Sequence, residues 1–167
     1  MATIKRKFLF AHMAAAKIYS KLSHCKRLQV GALLVTTDGL TAQGYNGRPS
    51  GEPNVGETAE GITHPDVRHA EVNALKKITK STVSSTGSFM VVTHAPCRQC
   101  AIDMVDANIR LVVYGEDYRD TSGIEYLLRH GVTVYQIFEE NLYLVIGSNT
   151  GLMKCFRSAE RSPEIEY

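Results

Sequence analysis

Residues 89–115, FMVVTHAPCRQCAIDMVDANIRLVVYG, carry a strand, a helix and a second strand in one unbroken run. FMVVTH (89–94) and IRLVVYG (109–115) are short and rich in branched apolar residues, as strands covered on both faces are. Between them Pro96 suits the first position of a helix, where its missing N–H would have had no partner, and that helix runs through CRQCAIDMVDAN to Asn108. Elements joined in this order form a crossover unit, which sets its two strands parallel with the helix on one face of the sheet.

The same rhythm extends in both directions. Downstream, Ser122 and Glu125 fit a capping box for a short helix ending at Gly131, and VTVYQIF (132–138) follows as a strand. Upstream, DVRHAEVNALKKITK (66–80) predicts a helix with Val72, Leu75 and Ile78 buried and lysines in the last turn, where the dipole favours cations. LQVGALLV (28–35) and LTAQGYN (40–46), parted by Asp38-Gly39, pair as a hairpin. In residues 5–22 the steps between Phe8, Ala11, Ala15, Ile18 and Leu22 predict a helix that buries this face. Gly47 to Pro65 lacks periodicity and is longer than most connections, which makes it a candidate functional loop. Residues 139–167 hold a further strand or helix and a polar end, unassigned. The reading is one α/β domain over residues 1–167, with its core in about 5–138. Its architecture is a three-layer α/β/α sandwich around a mixed, largely parallel five-stranded sheet.

Composition narrows the function. The 167 residues suffice for one ordinary core. Nineteen basic against seventeen acidic residues give a formal charge of +2, short of the footprint of a dedicated nucleic-acid binder. No run of about 18 apolar residues offers a membrane span. The N-terminal stretch is interrupted by His12, Lys17 and Lys21 and no small-residue cleavage site follows, so it reads as an amphipathic helix rather than a secretory leader. Four cysteines without such a leader fit a reducing, cytoplasmic home better than a disulfide framework.

Cys97 and Cys100 alone suit thiol exchange, a structural metal or a working site equally well. RHAEVNAL (68–75) changes the balance, because His69 stands at the start of one predicted helix while Cys97 and Cys100 share the first turn of another. One nitrogen and two sulfurs leave a tetrahedral Zn²⁺ with an open position, as in catalytic rather than structural sites. Thiolates at a helix N-terminus are favoured by the positive end of the dipole. Glu71, two residues from a ligand and not itself one, is placed to shuttle protons. H-x-E with P-C-x-x-C is the general signature of zinc deaminases.

With these residues the sequence resembles the cytidine and deoxycytidylate deaminase superfamily, and within it the deoxycytidylate deaminases. The likeness extends to Cys25, Arg27, Val30, Gly31 and Ala32 in HCKRLQVGALLV, to GYNGRPSG (44–51) and to VVYGEDYRD (112–120). The resemblance implies the cytidine-deaminase-like fold, hydrolysis of dCMP to dUMP and ammonia for thymidylate synthesis, and a homohexamer. It also implies that His69, Cys97 and Cys100 hold zinc, Glu71 moves protons, Asn46 bonds the sugar, Arg27 meets the 5′-phosphate and Tyr118 lies near the nucleotide. It further implies effectors, dCTP with Mg²⁺ as activator and dTTP as inhibitor, near the loop of Gly44, Tyr45, Gly47 and Arg48. A second, structural zinc, frequent in the family, is not expected, because residues 47–68 contain no cysteine.

Plainer roles stand beside these. Asn46-Gly47 is a common turn dipeptide, Arg27 and Arg98 suit solvated surfaces, and the remaining histidines, Cys25 and Cys155 read as ordinary. The rival functions are tRNA adenosine deamination, disfavoured by the modest charge, free cytidine deamination, disfavoured by Arg27, and a non-catalytic zinc module, disfavoured by Glu71.

Overall fold

The computed structural model describes residues 2–148, 151–158 and 164–167. In chain order the elements are β1 (Thr3–Lys5), α1 (Arg6–Ser20), β2 (Gly31–Val35), β3 (Thr41–Tyr45), α2 (Ala70–Thr79), β4 (Phe89–His94), α3 (Arg98–Asp106), β5 (Leu111–Glu116), α4 (Ser122–Arg129), β6 (Thr133–Phe138), β7 (Asn141–Ser148), β8 (Gly151–Arg157) and β9 (Glu164–Glu166). Seven strands form one sheet in the order β3-β2-β4-β5-β6-β7-β8, and β1 pairs with β9 apart from it.

The crossover units lie at the centre of the sheet. β4 and β5 are parallel, with Phe89 opposite Leu111 and Val92 opposite Tyr114, and β5 runs parallel to β6. α3 and α4 make the two connections, as the short spacing between apolar runs requires. The other pairings are antiparallel: β2 with β3, β2 with β4, β6 with β7 and β7 with β8. Seven strands therefore replace the expected five. The additions, β7 and β8, come from the unassigned tail, whose apolar residues do not alternate because both faces are only partly covered.

Successive side chains on a strand point to opposite faces. Met90, Val92, Val112, Tyr114 and Val134 face α2, α3 and α4, which bury Ala74, Ile78, Ala101, Met104, Ile124 and Leu127 against them. Phe89, Val91, Leu111 and Val113 face the other way, under Leu9 and Met13 of α1 and Ile165 of β9. The three-layer architecture follows.

Three local expectations are corrected. α1 buries Leu9, Met13 and Ala16, whereas Phe8, Ile18 and Leu22 are exposed; both stripes satisfy a helical period, and only packing on the sheet chooses between them. Pro96 lies outside α3, which is N-capped by Cys97 and starts at Arg98. The Ser122/Glu125 capping box does not form: Thr121 is the N-cap, its hydroxyl donates to Glu125, and the Asp120 carboxylate takes the Ser122 N–H at 2.9 Å. No helix among the described residues is long and apolar enough to cross a membrane.

Candidate active site

Two helix starts bring the candidate ligands together. His69 is the N-cap of α2, in extended conformation, and the next turn directs Glu71 inward until only 4% of it is exposed. β4 delivers the chain to Cys97, whose sulfur accepts the Cys100 N–H at 3.5 Å and so caps α3. His69 Nδ1 lies 3.2 Å from Cys100 Sγ and 3.5 Å from Cys97 Sγ, and the three ligand atoms all lie within 4.8 Å of one another. Ligands around a tetrahedral zinc, with bonds near 2.0–2.3 Å, are about 3.6 Å apart. The donor set and its spacing fit that ion.

The protonation pattern suits the same cluster. Hydrogen bonds from Cys100 and then His69 bring the Cys97 thiol down to about 4, against the opposing effect of burial. The same Cys97–Cys100 bond, together with burial, holds Cys100 protonated, so one proton separates the sulfurs until a cation replaces it. The hydrogen bond to Cys97 pushes His69 up. Burial pushes Glu71 up, making its carboxyl a ready holder of a proton.

A cavity of about 510 Å³ opens over the cluster, and Arg27, Asn46, Glu71 and Tyr118 all line it. Asn46 uses both arms of its amide on the backbone: Oδ1 accepts the Val30 N–H at 2.8 Å and Nδ2 donates to the Leu28 carbonyl at 2.8 Å. One amide hydrogen and one lone pair remain to it. Tyr118 packs against the core cluster under α3 and α4.

The wall also contains Glu57, Thr63, His94 and Arg119, none of them singled out from the sequence. His94 ends β4, three residues before Cys97; its Nδ1 lies 3.0 Å from the Thr93 hydroxyl, and burial lowers its basicity. Its place at the carboxyl end of a parallel strand, where sites form in α/β sheets, was the signal available. Glu57 and Thr63 sit in the irregular loop and had none.

Gly44, Tyr45, Gly47 and Arg48 line a separate cavity of about 570 Å³, which Asn46 also borders and to which Arg68, Lys76, Lys77 and Lys80 contribute. Arg48 pairs with Glu52 at 2.9 Å and Asp66 at 3.3 Å. Gly44 has a packing duty as well: a Cβ there would lie 2.0 Å from the Ala70 carbonyl oxygen, so only glycine lets β3 meet α2 this closely.

The profile of the cytidine and deoxycytidylate deaminase zinc-binding region matches residues 5–116. The chain belongs to this family. Among deaminase relatives, dCMP deaminase from the cyanophage S-TIM5, solved in complex with dCMP and dUMP, is 41% identical with a TM-score of 0.76, over 80% of this chain and 98% of that one. ComE operon protein 2 of Bacillus subtilis is 36% identical over 75% of this chain and 68% of its own length. Human deoxycytidylate deaminase is 31% identical over 65% of each.

Proposed function

We propose that this deaminase converts dCMP and water to dUMP and ammonia. One observation carries the reading: His69 and Cys97, two members of the His69, Cys97 and Cys100 cluster, line a single cavity together with the buried Glu71 and the cation of Arg27. Likeness to the cyanophage dCMP deaminase supports the same substrate. His69, Cys97 and Cys100 would hold zinc, which when bound supplies a Lewis acid and lowers the pKa of water. Glu71 takes a proton from the attacking water, passes it to N3 of the pyrimidine and later delivers a proton to the departing amine. The Arg27 guanidinium, planar and permanently charged, suits the two-point grip a 5′-phosphate offers. The spare amide hydrogen of Asn46 meets the sugar, and Tyr118 covers the nucleotide.

In the same reading the second cavity takes triphosphate effectors, dCTP with Mg²⁺ as activator and dTTP as inhibitor. The cations of Arg68, Lys76, Lys77 and Lys80 around it support an anionic occupant. Outward apolar residues of α1 support a homo-oligomer, a hexamer by family resemblance, and the four free cysteines suit a reducing cytoplasm.

The test is ammonia release from dCMP, deoxycytidine, dCTP and an anticodon RNA, with and without dCTP or dTTP as effector. Turnover should be greatest on dCMP. Arg27→Ala should lower kcat/KM for dCMP about 100-fold more than for deoxycytidine, as losing a charge-assisted phosphate grip implies. Equal losses on the two substrates, or preference for RNA, would overturn the assignment.

A further inference from the structure

Arg27 stands on a segment with no regular backbone of its own. Residues 21–30, between α1 and β2, form neither helix nor strand, so no ladder of hydrogen bonds fixes where the Arg27 side chain begins. The backbone partner comes instead from Glu57, thirty residues downstream in the irregular loop. Its carboxylate accepts the Lys26 N–H at 2.9 Å through one oxygen and 3.0 Å through the other, and the Arg27 N–H at 3.1 Å.

The loop is shaped to deliver that carboxylate. Glu57 bridges Thr63 across a tight reversal in which the Thr58 N–H meets the Ile62 carbonyl at 2.7 Å and the Gly61 N–H meets the Thr58 carbonyl at 2.9 Å. Thr63, brought alongside, accepts from Arg27 Nη1 at 3.5 Å. Gly56 makes the approach possible, since a Cβ at this position would sit 2.6 Å from Cys25 Sγ and 2.8 Å from Cys25 Cα. The glycine and the carboxylate that follows it act as one docking device.

How Glu57 spends its charge is informative. Its hydrogen bonds come from the peptide N–H groups of Lys26 and Arg27, and these two donors, ahead of the nearby cations, hold its carboxyl below the usual carboxylate range. Arg27 forms no ion pair among the described residues. The guanidinium therefore borders the cavity outside any close ion pair, while the backbone beneath it is held. We infer that Glu57 is a positioning residue for substrate binding, anchoring the Lys26–Arg27 backbone so that the Arg27 guanidinium meets the 5′-phosphate of the nucleotide. This inference rests on the dCMP reading of the cavity.

Steady-state kinetics of zinc-loaded enzyme on dCMP and deoxycytidine test it, with Arg27→Ala, Glu57→Ala, Glu57→Gln and the Arg27→Ala/Glu57→Ala double variant, and with thermal unfolding of each. Glu57→Ala should raise KM for dCMP about tenfold, with kcat and the deoxycytidine kcat/KM changed less than about threefold, since binding is lost and chemistry is not. Glu57→Gln keeps the shape and one acceptor oxygen, so it should fold and give a smaller rise in KM. In the double variant Glu57→Ala should add less than about twofold to the Arg27→Ala loss on dCMP, as expected when two residues act through one contact. An unchanged KM for dCMP in both Glu57 variants, equal losses on the two substrates, or multiplying losses in the double variant would overturn the role. If Arg27→Ala spares dCMP, the phosphate reading falls and the role of Glu57 with it; if Arg27→Ala is selective and the Glu57 variants are not, only the positioning role falls.

Discussion

At Glu71 a carboxylate is buried beside a cluster of metal-type ligands, an arrangement that burial alone would penalise. Replacing it by glutamine keeps the volume and removes the group that can take up and release a proton. Glu71→Gln should retain about one zinc per chain by metal analysis and lower kcat for dCMP by roughly 10²–10⁴-fold; substantial turnover in that variant would remove the shuttle. The residues around this centre differ in how far they can be foreseen. His69, Glu71, Cys97 and Cys100 announce themselves, because each half of the cluster is local in sequence and sits at a helix start. Glu57 does not: its partners Lys26 and Arg27 lie thirty residues away, and no periodicity connects two irregular segments. Asn46 reads as a sugar-binding residue by family resemblance, and its amide also holds Leu28 and Val30 in place.

Packing between elements sets where His69 stands. The Ala70 carbonyl rests against Gly44, so the first turn of α2 is seated directly on β3, one residue after the imidazole. Gly44→Ala must force the two apart, at a cost of about 1–3 kcal/mol typical of overpacking. Its melting temperature should fall by several degrees, and its zinc content should fall with it. A stable, fully loaded variant would show that α2 tolerates displacement. At this scale the central strands were legible because short branched apolar runs bounded by turn residues have few alternatives; β4 occupies Phe89–His94, the span expected. The face of α1 was not, since Ala-rich helices present several stripes of similar polarity. The hairpin of β7 and β8 escaped because partial cover on both faces leaves no alternation to read. That hairpin also reaches back toward the cavity: Lys154 on β8 binds Asp117, beside Tyr118, at 2.7 Å. A pair this exposed contributes little stability, yet it tethers the segment that carries the ring.

Over the molecule as a whole, large apolar side chains meet water along the outer side of α1 and just past its end: Phe8 is 47%, Ile18 66% and Leu22 51% exposed among the described residues. Large apolar side chains left exposed on one helix face are candidates for a contact between subunits. Phe8→Glu with Ile18→Glu should therefore reduce the mass measured by light scattering, while an unchanged mass would move the subunit contact elsewhere. The near-balanced charge conceals a division, with cations gathered around the larger cavity while the other holds the sulfur and imidazole donors. Between the two chambers stands Asn46, bordering both. Because its amide is held between Leu28 and Val30, a displacement of that side chain in one chamber would also move a wall of the other. An isotope label on this single amide would test whether a nucleotide enters either chamber.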